Sequence, residues 1–234
     1  FRSLDLVIFF EKSLIAIQGK FSEEVLQKHV SINLSQLNYM YGAKSKILGK
    51  HEALITRTGY TGEDGFEISV DNSIAADVWN ELLENPKVKP IGLGARDSLR
   101  LEMGYPLYGH DINEDTTPIE AGIGWVVTKD HKNFISNQVI LNQKSAGAPR
   151  RRIGLKLSDK IVAREGAEIY KDNKLIGKVT SGGFSPTLNQ PICMGFVPSA
   201  NAVENIELDI KVRDKFYKAK TVKMPFLEAR TKKC

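Results

Sequence analysis

After Arg150 the sequence consists of short stretches in which apolar and polar residues alternate, and this pattern constrains the fold more than any other feature. Turn-forming sequences such as DN, GG, SP and RDK separate the stretches. A period of two places successive side chains on opposite faces, so each stretch predicts a strand with one buried face. A series of such strands is typical of an antiparallel barrel or sandwich. We predict this architecture for a domain over residues 150–230.

The earlier part of the chain mixes the signals of helices and strands. The predicted strands lie at residues 53–58 and 66–70, and the predicted helices at residues 22–30, 73–84 and 92–104. Ile74, Val78 and Leu82 recur four residues apart, as on the apolar face of a helix. Alternation of these elements favours an α+β layer of ferredoxin-like type or similar. We place this domain at residues 1–145 and a small, polar linker, NQKSAGAPR, at residues 142–150.

Charge is distributed unevenly along the chain. Of its 33 basic and 28 acidic residues, 18 and 9 lie from Arg150 onward, which leaves 15 and 19 before it. The lysines of residues 211–223 alternate along a predicted strand region, and no RNA-binding signature or recognition helix is present. The basic part therefore favours a solvated strand face, an anionic ligand or an acidic partner over nucleic acid.

No segment has the composition of a membrane span or of a cysteine-rich site. The apolar run at residues 4–10 has only seven residues, whereas a span needs about 18 to 20. Cys193 and Cys234 are the only cysteines and lack metal-ligand spacing, so we predict neither a disulfide framework nor a zinc site, and a reducing compartment. Because the chain starts at Phe1 within an apparent strand, we expect a further segment to precede it.

Residues 57–70, RTGYTGEDGFEISV, interrupt the strand pattern with three glycines and two adjacent acids. Gly59, Gly62 and Gly65 permit left-handed backbone conformations and the close approach of another backbone or of a flat ligand. The segment lacks the P-loop pattern, and its acids would repel a phosphate. The four histidines of the chain are scattered, and no nucleophile–base signature accompanies them.

Glu67 is the most informative residue of this segment. Alternation places its side chain opposite Phe66, Ile68 and Val70, whose apolar face predicts burial. One interpretation is a solvent-facing glutamate on a half-buried sheet. The other is a carboxylate that accepts two adjacent N–H donors from a planar heterocycle, which is a strong and specific geometry. Tyr60 would then supply a stacking face or a hydroxyl, or would simply pack within the turn.

Five segments together resemble the aminomethyltransferase (T-protein) family of the glycine cleavage system. They are residues 57–70, 92–127, 150–155, 177–198 and 211–226. The resemblance covers nearly the whole chain. It implies ferredoxin-like, folate-binding subdomains followed by a C-terminal β-barrel. It also implies an enzyme that transfers the aminomethyl carbon from the lipoyl arm of the carrier H-protein to tetrahydrofolate, releasing ammonia and forming 5,10-methylenetetrahydrofolate.

The resemblance assigns substrate-binding roles to five residues. Glu67 would bind the amino and ring N–H groups of the pteridine, with Tyr60 beside it. Arg96 and Trp125 would line the folate site, and Arg152 would meet the anionic end of the ligand. The alternatives are an ion pair for Arg96, a core position for Trp125 and a solvated arginine cluster that includes Arg152.

The resemblance leaves the catalytic residue of this chain unassigned. The family aspartate that promotes attack by folate belongs to an upstream segment, and neither Asp64 nor Asp97 matches its motif. A ligand contact in the C-terminal tail would fall near Arg230 or Thr231. We therefore expect the 234-residue chain to be weak or inactive by itself.

The resemblance also implies partners and a location. The partners would be the lipoylated H-protein and a small-molecule folate as substrate, with no metal, nucleic acid or membrane. The location would be the cytoplasm of a bacterium or the mitochondrial matrix of a eukaryote. The alternative function is that of a folate-binding paralogue without transferase activity, of the iron–sulfur assembly or regulatory type.

Overall fold

A computed structural model describes residues 10–128 and 133–232. Most of the predicted strand at residues 4–10 lies outside the described residues, as do His131 and Cys234. The chain forms two compact units. The first comprises the residues up to Leu93 together with those from Ala229 onward, and the second runs from Gly94 to Glu228.

The first unit is built on a four-stranded antiparallel sheet. Its elements are β1 (Lys12–Gln18), α1 (Ser22–Leu26), a 3₁₀ turn (Leu34–Gln36), β2 (Gly42–Ile47), β3 (His51–Thr56), β4 (Gly65–Asp71), a second 3₁₀ turn (Asn72–Ile74) and α2 (Ala75–Leu83). The strand order is β1-β4-β3-β2, so β4 lies inside the sheet with β1 and β3 as neighbours. Helices and strands therefore combine in the predicted α+β layer.

The core of this unit lies on one face of the sheet. Phe66, Ile68 and Val70 of β4 are fully buried there, as the alternation predicts. Val78 and Leu82 of α2 belong to the same apolar cluster. Burial of a large apolar side chain contributes roughly 1.5–3 kcal/mol, so this cluster fixes which residues of β4 point inward. Glu67 consequently points to the opposite face.

The described residues of the second unit form two helices and six strands. They are α3 (Leu93–Glu102), a 3₁₀ turn (Gly124–Val126), α4 (Asn137–Ala146), β5 (Arg150–Leu157), β6 (Glu168–Lys171), β7 (Lys174–Ser185), β8 (Gln190–Pro198), a 3₁₀ turn (Ser199–Asn201), β9 (Glu207–Val212) and β10 (Lys215–Val222). The strands close into an antiparallel barrel in the order β10-β5-β8-β7-β6-β9. The predicted fold class, α+β followed by a β-barrel, is confirmed.

Two of the turns predicted in the barrel have the backbone expected of tight hairpins. Asp172 and Asn173 between β6 and β7 have φ of 50° and 61°, and Arg213 and Asp214 between β9 and β10 have φ of 49° and 63°. Two consecutive residues with positive φ are typical of the turns whose twist suits a two-residue hairpin. The DN and RDK sequences thus fix where two hairpins of the barrel reverse.

The predicted linker is not an extended segment throughout. Residues 142–146 form the last part of α4, and Gly147, with φ of 93°, follows the helix. No residue of α4 is buried, so the helix lacks the apolar periodicity that would identify it in the sequence. The domain limits at residues 1–145 and 150–230 stay a prediction.

Replacement of Gly182 by alanine is expected to lower the free energy of unfolding by about 1–3 kcal/mol. A Cβ atom at this position of β7 would lie 1.8 Å from the carbonyl oxygen of Ala163, so backbone must move. Gly94→Ala is the matched control, because Gly94 lies in α3 with open space around its Cβ position. Urea unfolding followed by circular dichroism measures both variants. Equal stability of the two would contradict the close packing at Gly182.

Candidate functional site

The candidate site lies on the outer face of the four-stranded sheet, which is the face opposite the buried core. Its side chains are Leu14, Ala16, Leu54, Thr56, Glu67 and Ser69. Glu67 lies where the pairing of β3 with β4 ends, with Ala16 of β1 and Thr56 of β3 as its cross-strand neighbours. Leu14 and Leu54, which both pair with Ser69, are 66% and 43% exposed. The face therefore combines one half-buried carboxylate with accessible apolar surface.

Glu67 is held by hydroxyl groups rather than projecting into open solvent. The hydroxyl of Thr58 donates a hydrogen bond to Oε2 of Glu67 over 2.5 Å. The hydroxyls of Thr56 and Thr58 lie 2.7 Å apart. Hydrogen bonds to an ionised acceptor are shorter and stronger than those between neutral groups. The carboxylate is thus oriented within the face before any ligand arrives.

The glycines of the loop before β4 make room for a side chain of the protein itself. Nε2 of Gln18 donates to the carbonyls of Thr58 (3.0 Å) and Phe66 (3.3 Å), and its Oε1 accepts from the hydroxyl of Thr61 (3.0 Å). A Cβ atom on Gly59 or Gly65 would lie only 2.0 or 2.6 Å from this amide group. Gln18, rather than a ligand, therefore explains two of the three glycines.

Position 62 is occupied by glycine for a different reason. Its φ of 75° lies in the left-handed region, which favours glycine. Tyr60, half-buried, lies earlier in the same loop. The loop thus reverses direction at Gly62, and the sequence-based role of Tyr60 beside a pteridine stays a prediction.

The two acids of the loop, Glu63 and Asp64, pair with arginines of the first unit. Asp64 receives two hydrogen bonds from Arg57, at 2.9 Å and 2.5 Å, and Arg57 also contacts Glu23 at 2.5 Å. Burial would lower the pKa of Arg57, but hydrogen bonds to Asp64 and Glu23 raise it above its ordinary value. Glu63 forms an ion pair with Arg230 at 3.2 Å. Both acids of the loop are therefore paired with basic residues of the first unit.

The C-terminal tail contacts the same loop. The backbone N–H of Arg230 donates to the carbonyl of Gly62 over 2.7 Å, beside the ion pair with Glu63. The ammonium group of Lys232 donates to the carbonyl of Ser35. The tail near Arg230, which the resemblance associates with the ligand, thus lies against the loop that precedes β4.

Three of the predicted site residues belong to the second unit. Arg96 lies on the exposed side of α3. Trp125 is 78% exposed in the 3₁₀ turn Gly124–Val126, so it is not a core residue. An aromatic side chain this exposed offers a face for a ligand or a partner. The roles of Arg96 and Trp125 toward folate stay predictions.

Arg152 differs from a solvated arginine. Its side chain is buried and donates to the carbonyls of Ala121 (2.9 Å) and Gly104 (2.8 Å) and to the sulfur of Met194 (2.9 Å). These bonds anchor segments of the second unit to β5. They correct the interpretation of Arg152 as a member of a solvated cluster, and its contact with the anionic end of a ligand stays a prediction.

A buried polar network in the second unit was missed in the sequence. Arg100, one turn after Arg96, donates to Oδ2 of Asp111 over 2.7 Å and to the hydroxyl of Ser181 over 2.9 Å. Asp111 also accepts from the hydroxyls of Ser181 (2.7 Å) and Thr180 (2.5 Å). The partners lie up to 81 residues apart, so no local pattern identifies them. The network connects α3 and the segment around Asp111 to β7.

No helix within residues 10–128 and 133–232 is long and apolar enough to cross a membrane. No group of three or more histidine, cysteine, aspartate or glutamate side chains there has an arrangement that could hold a metal ion.

The chain is similar to known proteins along most of its length. An aminomethyltransferase from Nostoc sp. is 45% identical over 222 residues, which cover 94% of this chain and 58% of the relative. One from Pseudothermotoga lettingae is 44% identical and covers 94% of this chain and 60% of the relative. The chain thus spans about three fifths of the length of these relatives.

A solved structure and two family models agree with these relatives. The glycine cleavage system aminomethyltransferase T from Bartonella henselae superposes with a TM-score of 0.87 at 38% identity, over 94% of this chain and 61% of that protein. The GCVT N-terminal domain model matches residues 10–131, and the glycine cleavage T-protein C-terminal barrel domain model matches residues 150–228. These matches confirm the resemblance found in the sequence. The chain therefore belongs to the glycine cleavage T-protein family.

Proposed function

We propose that this chain is part of an aminomethyltransferase of the glycine cleavage system. The reaction transfers the aminomethyl carbon from the lipoyl arm of the H-protein to tetrahydrofolate, with release of ammonia and formation of 5,10-methylenetetrahydrofolate. The observation that supports the proposal is the half-buried, hydroxyl-bonded carboxylate of Glu67 on the outer face of the sheet. It belongs to the segment that carries the most specific part of the resemblance.

The chemistry of the outer face suits one end of a pteridine. The ring presents an amino group and a ring N–H side by side, and a carboxylate can accept from both in parallel. Leu14 and Leu54 provide exposed apolar surface one row away from Glu67 on the same face. Flat ligands commonly bind to apolar surface with a few well-placed polar groups. In this proposal Glu67 selects the ring by its two donors.

The remaining assignments extend the proposal to the rest of the ligand. Arg96 and Trp125 line the folate site, Tyr60 lies beside the ring and Arg152 acts toward the anionic end. Because Arg152 already donates to two carbonyls, we propose that it acts by its charge and by holding β5. The enzyme works in the cytoplasm of a bacterium or in the mitochondrial matrix.

The positive charge of the barrel supports the H-protein as the carrier partner. The chain from Arg150 onward, which forms the barrel, has an excess of basic residues. Charge complementarity accelerates the association of protein partners. An acidic, lipoylated H-protein would be attracted to such a surface. Ammonia release from an aminomethylated lipoyl carrier distinguishes this enzyme from a folate-binding paralogue without transferase activity, which the names of the relatives do not favour.

Glu67→Gln is expected to weaken tetrahydrofolate binding by roughly 10- to 100-fold, since hydrogen bonds to charged groups contribute about 1.5–3 kcal/mol each. The amide keeps the shape of the side chain but removes its charge and one acceptor. Isothermal titration of tetrahydrofolate into the 234-residue chain measures the effect. The matched control is Glu52→Gln, the same substitution at an exposed residue of the same sheet. Failure of the wild-type chain to bind, or equal binding by Glu67→Gln, would contradict the proposal.

A further inference from the structure

We propose that Thr58 is a positioning residue that orients the carboxylate of Glu67 for its ligand. The inference rests on the proposed function of the same face. The carboxylate has two oxygens, and the hydroxyl of Thr58 contacts Oε2 at 2.5 Å. This contact occupies one acceptor position on Oε2 and leaves the other acceptor positions of the carboxylate for the two N–H donors of a ligand.

The direction of the hydrogen bonds follows from the number of protons. An ionised carboxylate only accepts, and a threonine hydroxyl has one proton to donate. Thr58 therefore gives its proton to Glu67. The hydroxyl of Thr56 lies 2.7 Å from that of Thr58 and 3.5 Å from the backbone carbonyl oxygen of Glu67, so its one proton goes to the nearer acceptor, Thr58. The result is a one-way chain from Thr56 through Thr58 to Glu67, in which each hydroxyl has a defined orientation.

Thr58 is itself held in place from another strand. Its carbonyl accepts from Nε2 of Gln18 on β1 over 3.0 Å. Thr56, two residues earlier, pairs with Glu67 in the register of β3 and β4. Threonine is branched at Cβ, which restricts its χ1 angle. The position of the Thr58 hydroxyl is therefore set by the Gln18 side chain and by the pairing of β3 with β4 just before it.

This arrangement fixes the orientation of the Glu67 carboxylate, which the glutamate side chain alone would not do. The terminal torsion of a glutamate is broad and would let the carboxylate rotate. A fixed hydroxyl donor selects one orientation before the ligand binds. Ordering a flexible side chain opposes binding, and prior ordering reduces that loss. Removal of the Thr58 hydroxyl is thus expected to weaken ligand binding without removing any group that touches the ligand.

The test compares Thr58→Val, which removes the hydroxyl but keeps the shape, with Thr58→Ser, which keeps the hydroxyl. We expect Thr58→Val to weaken tetrahydrofolate binding roughly threefold to tenfold, and Thr58→Ser to bind like the wild type. Thr116→Val is the matched control, because it makes the same substitution at a threonine of the second unit whose hydroxyl bonds to Asn113 and not to Glu67 or Gln18. In a Glu67→Gln background, Thr58→Val is expected to have no further effect.

A second measurement separates this inference from the proposed function. In protein labelled with ¹³C at the carboxyl carbon of glutamate, the resonance of Glu67 is identified by its loss in Glu67→Gln. Thr58→Val should shift this resonance, and Thr116→Val should leave it unchanged. An unshifted resonance, or a shift with unchanged affinity, would overturn the inference. Absence of binding by the wild-type chain would overturn the proposed function, while the resonance would still decide whether Thr58 orients Glu67.

Discussion

Replacement of Arg57 by methionine is expected to lower the free energy of unfolding of the first unit by roughly 3–5 kcal/mol. The side chain of Arg57 is only 2% exposed and contacts Asp64 and Glu23, each at 2.5 Å. It also donates to the carbonyls of Leu34 and Leu37. Methionine fills a similar length but leaves two carboxylates and two carbonyls without their donor. Breaking a buried pair on one side is destabilising because the remaining charge is left uncompensated.

The chain offers a fluorescent probe for the first unit alone. Its two tryptophans are Trp79 in α2 of the first unit and Trp125 in the second. A Trp125→Phe background therefore makes urea unfolding of the first unit visible through Trp79. Arg151→Met is the matched control, because Arg151 is exposed on β5. An equal unfolding midpoint for Arg57→Met and the control would contradict a stabilising role for the guanidinium.

A double substitution would identify which contact of Arg57 causes the loss of stability. In an Asp64→Asn background one of the two carboxylates is already neutral. Arg57→Met should then lower the free energy of unfolding by less than it does in the wild type, since coupled neighbours are not additive. An unchanged effect would instead assign the loss to the contacts of Arg57 other than Asp64, which are Glu23, the carbonyls of Leu34 and Leu37, and the ring of Phe66 at 4.8 Å.

The parts of the fold that the sequence predicts are those governed by local periodicity. The alternation in β4 identifies Phe66, Ile68 and Val70 as buried and places Glu67 on the other face, because each side chain's direction depends only on its neighbours in the strand. The turns of the barrel are equally local, since positive φ at two adjacent residues restricts the sequence. Strand pairing follows once these elements are present.

The interpretation of the glycine loop required contacts that no local pattern contains. Gly59 and Gly65 are small because the amide of Gln18, about 40 residues earlier in the chain, occupies the space beside them. From the sequence alone, a glycine that admits a ligand and a glycine that admits a distant side chain are the same observation. The importance of Gln18 and Thr58 could therefore emerge only from coordinates.

Helix α4 and Arg152 illustrate two other reasons for error. The helix at Asn137–Ala146 buries no residue. Its apolar residues form one short run at positions 139–141 instead of recurring three and four residues apart, so the sequence favours the interpretation of residues 142–146 as part of a linker. Arg152 belongs to three consecutive arginines, which suggests solvent exposure. Its side chain instead bonds to the carbonyls of Ala121 and Gly104 inside the second unit. Composition indicates the usual environment of a residue type, and a specific buried acceptor overrides it.

Substitution of Asp111 by asparagine is expected to lower the free energy of unfolding of the second unit by about 3 kcal/mol. Its side chain is fully buried and accepts from Arg100, Ser181, Thr180 and the backbone N–H of Leu107. Asparagine has the same shape, but its NH₂ group would replace an oxygen that accepts hydrogen bonds and would point at hydrogen-bond donors. The negative charge that compensates Arg100 would also be lost. Hydrogen exchange of β7, which carries Thr180 and Ser181, measures the loss.

Asp97→Asn provides the matched control, because Asp97 pairs with the same guanidinium at 2.7 Å but is 52% exposed. Both variants remove one negative charge from Arg100, so a difference between them isolates the effect of burial. An exposed ion pair contributes only about 0.2–1 kcal/mol, and water can replace Asp97 as a partner. At Asp111 no water replaces the acceptor, so faster exchange of β7 should follow only there. Equal exchange rates in the two variants would mean that Asp97 and the hydroxyls suffice to compensate Arg100.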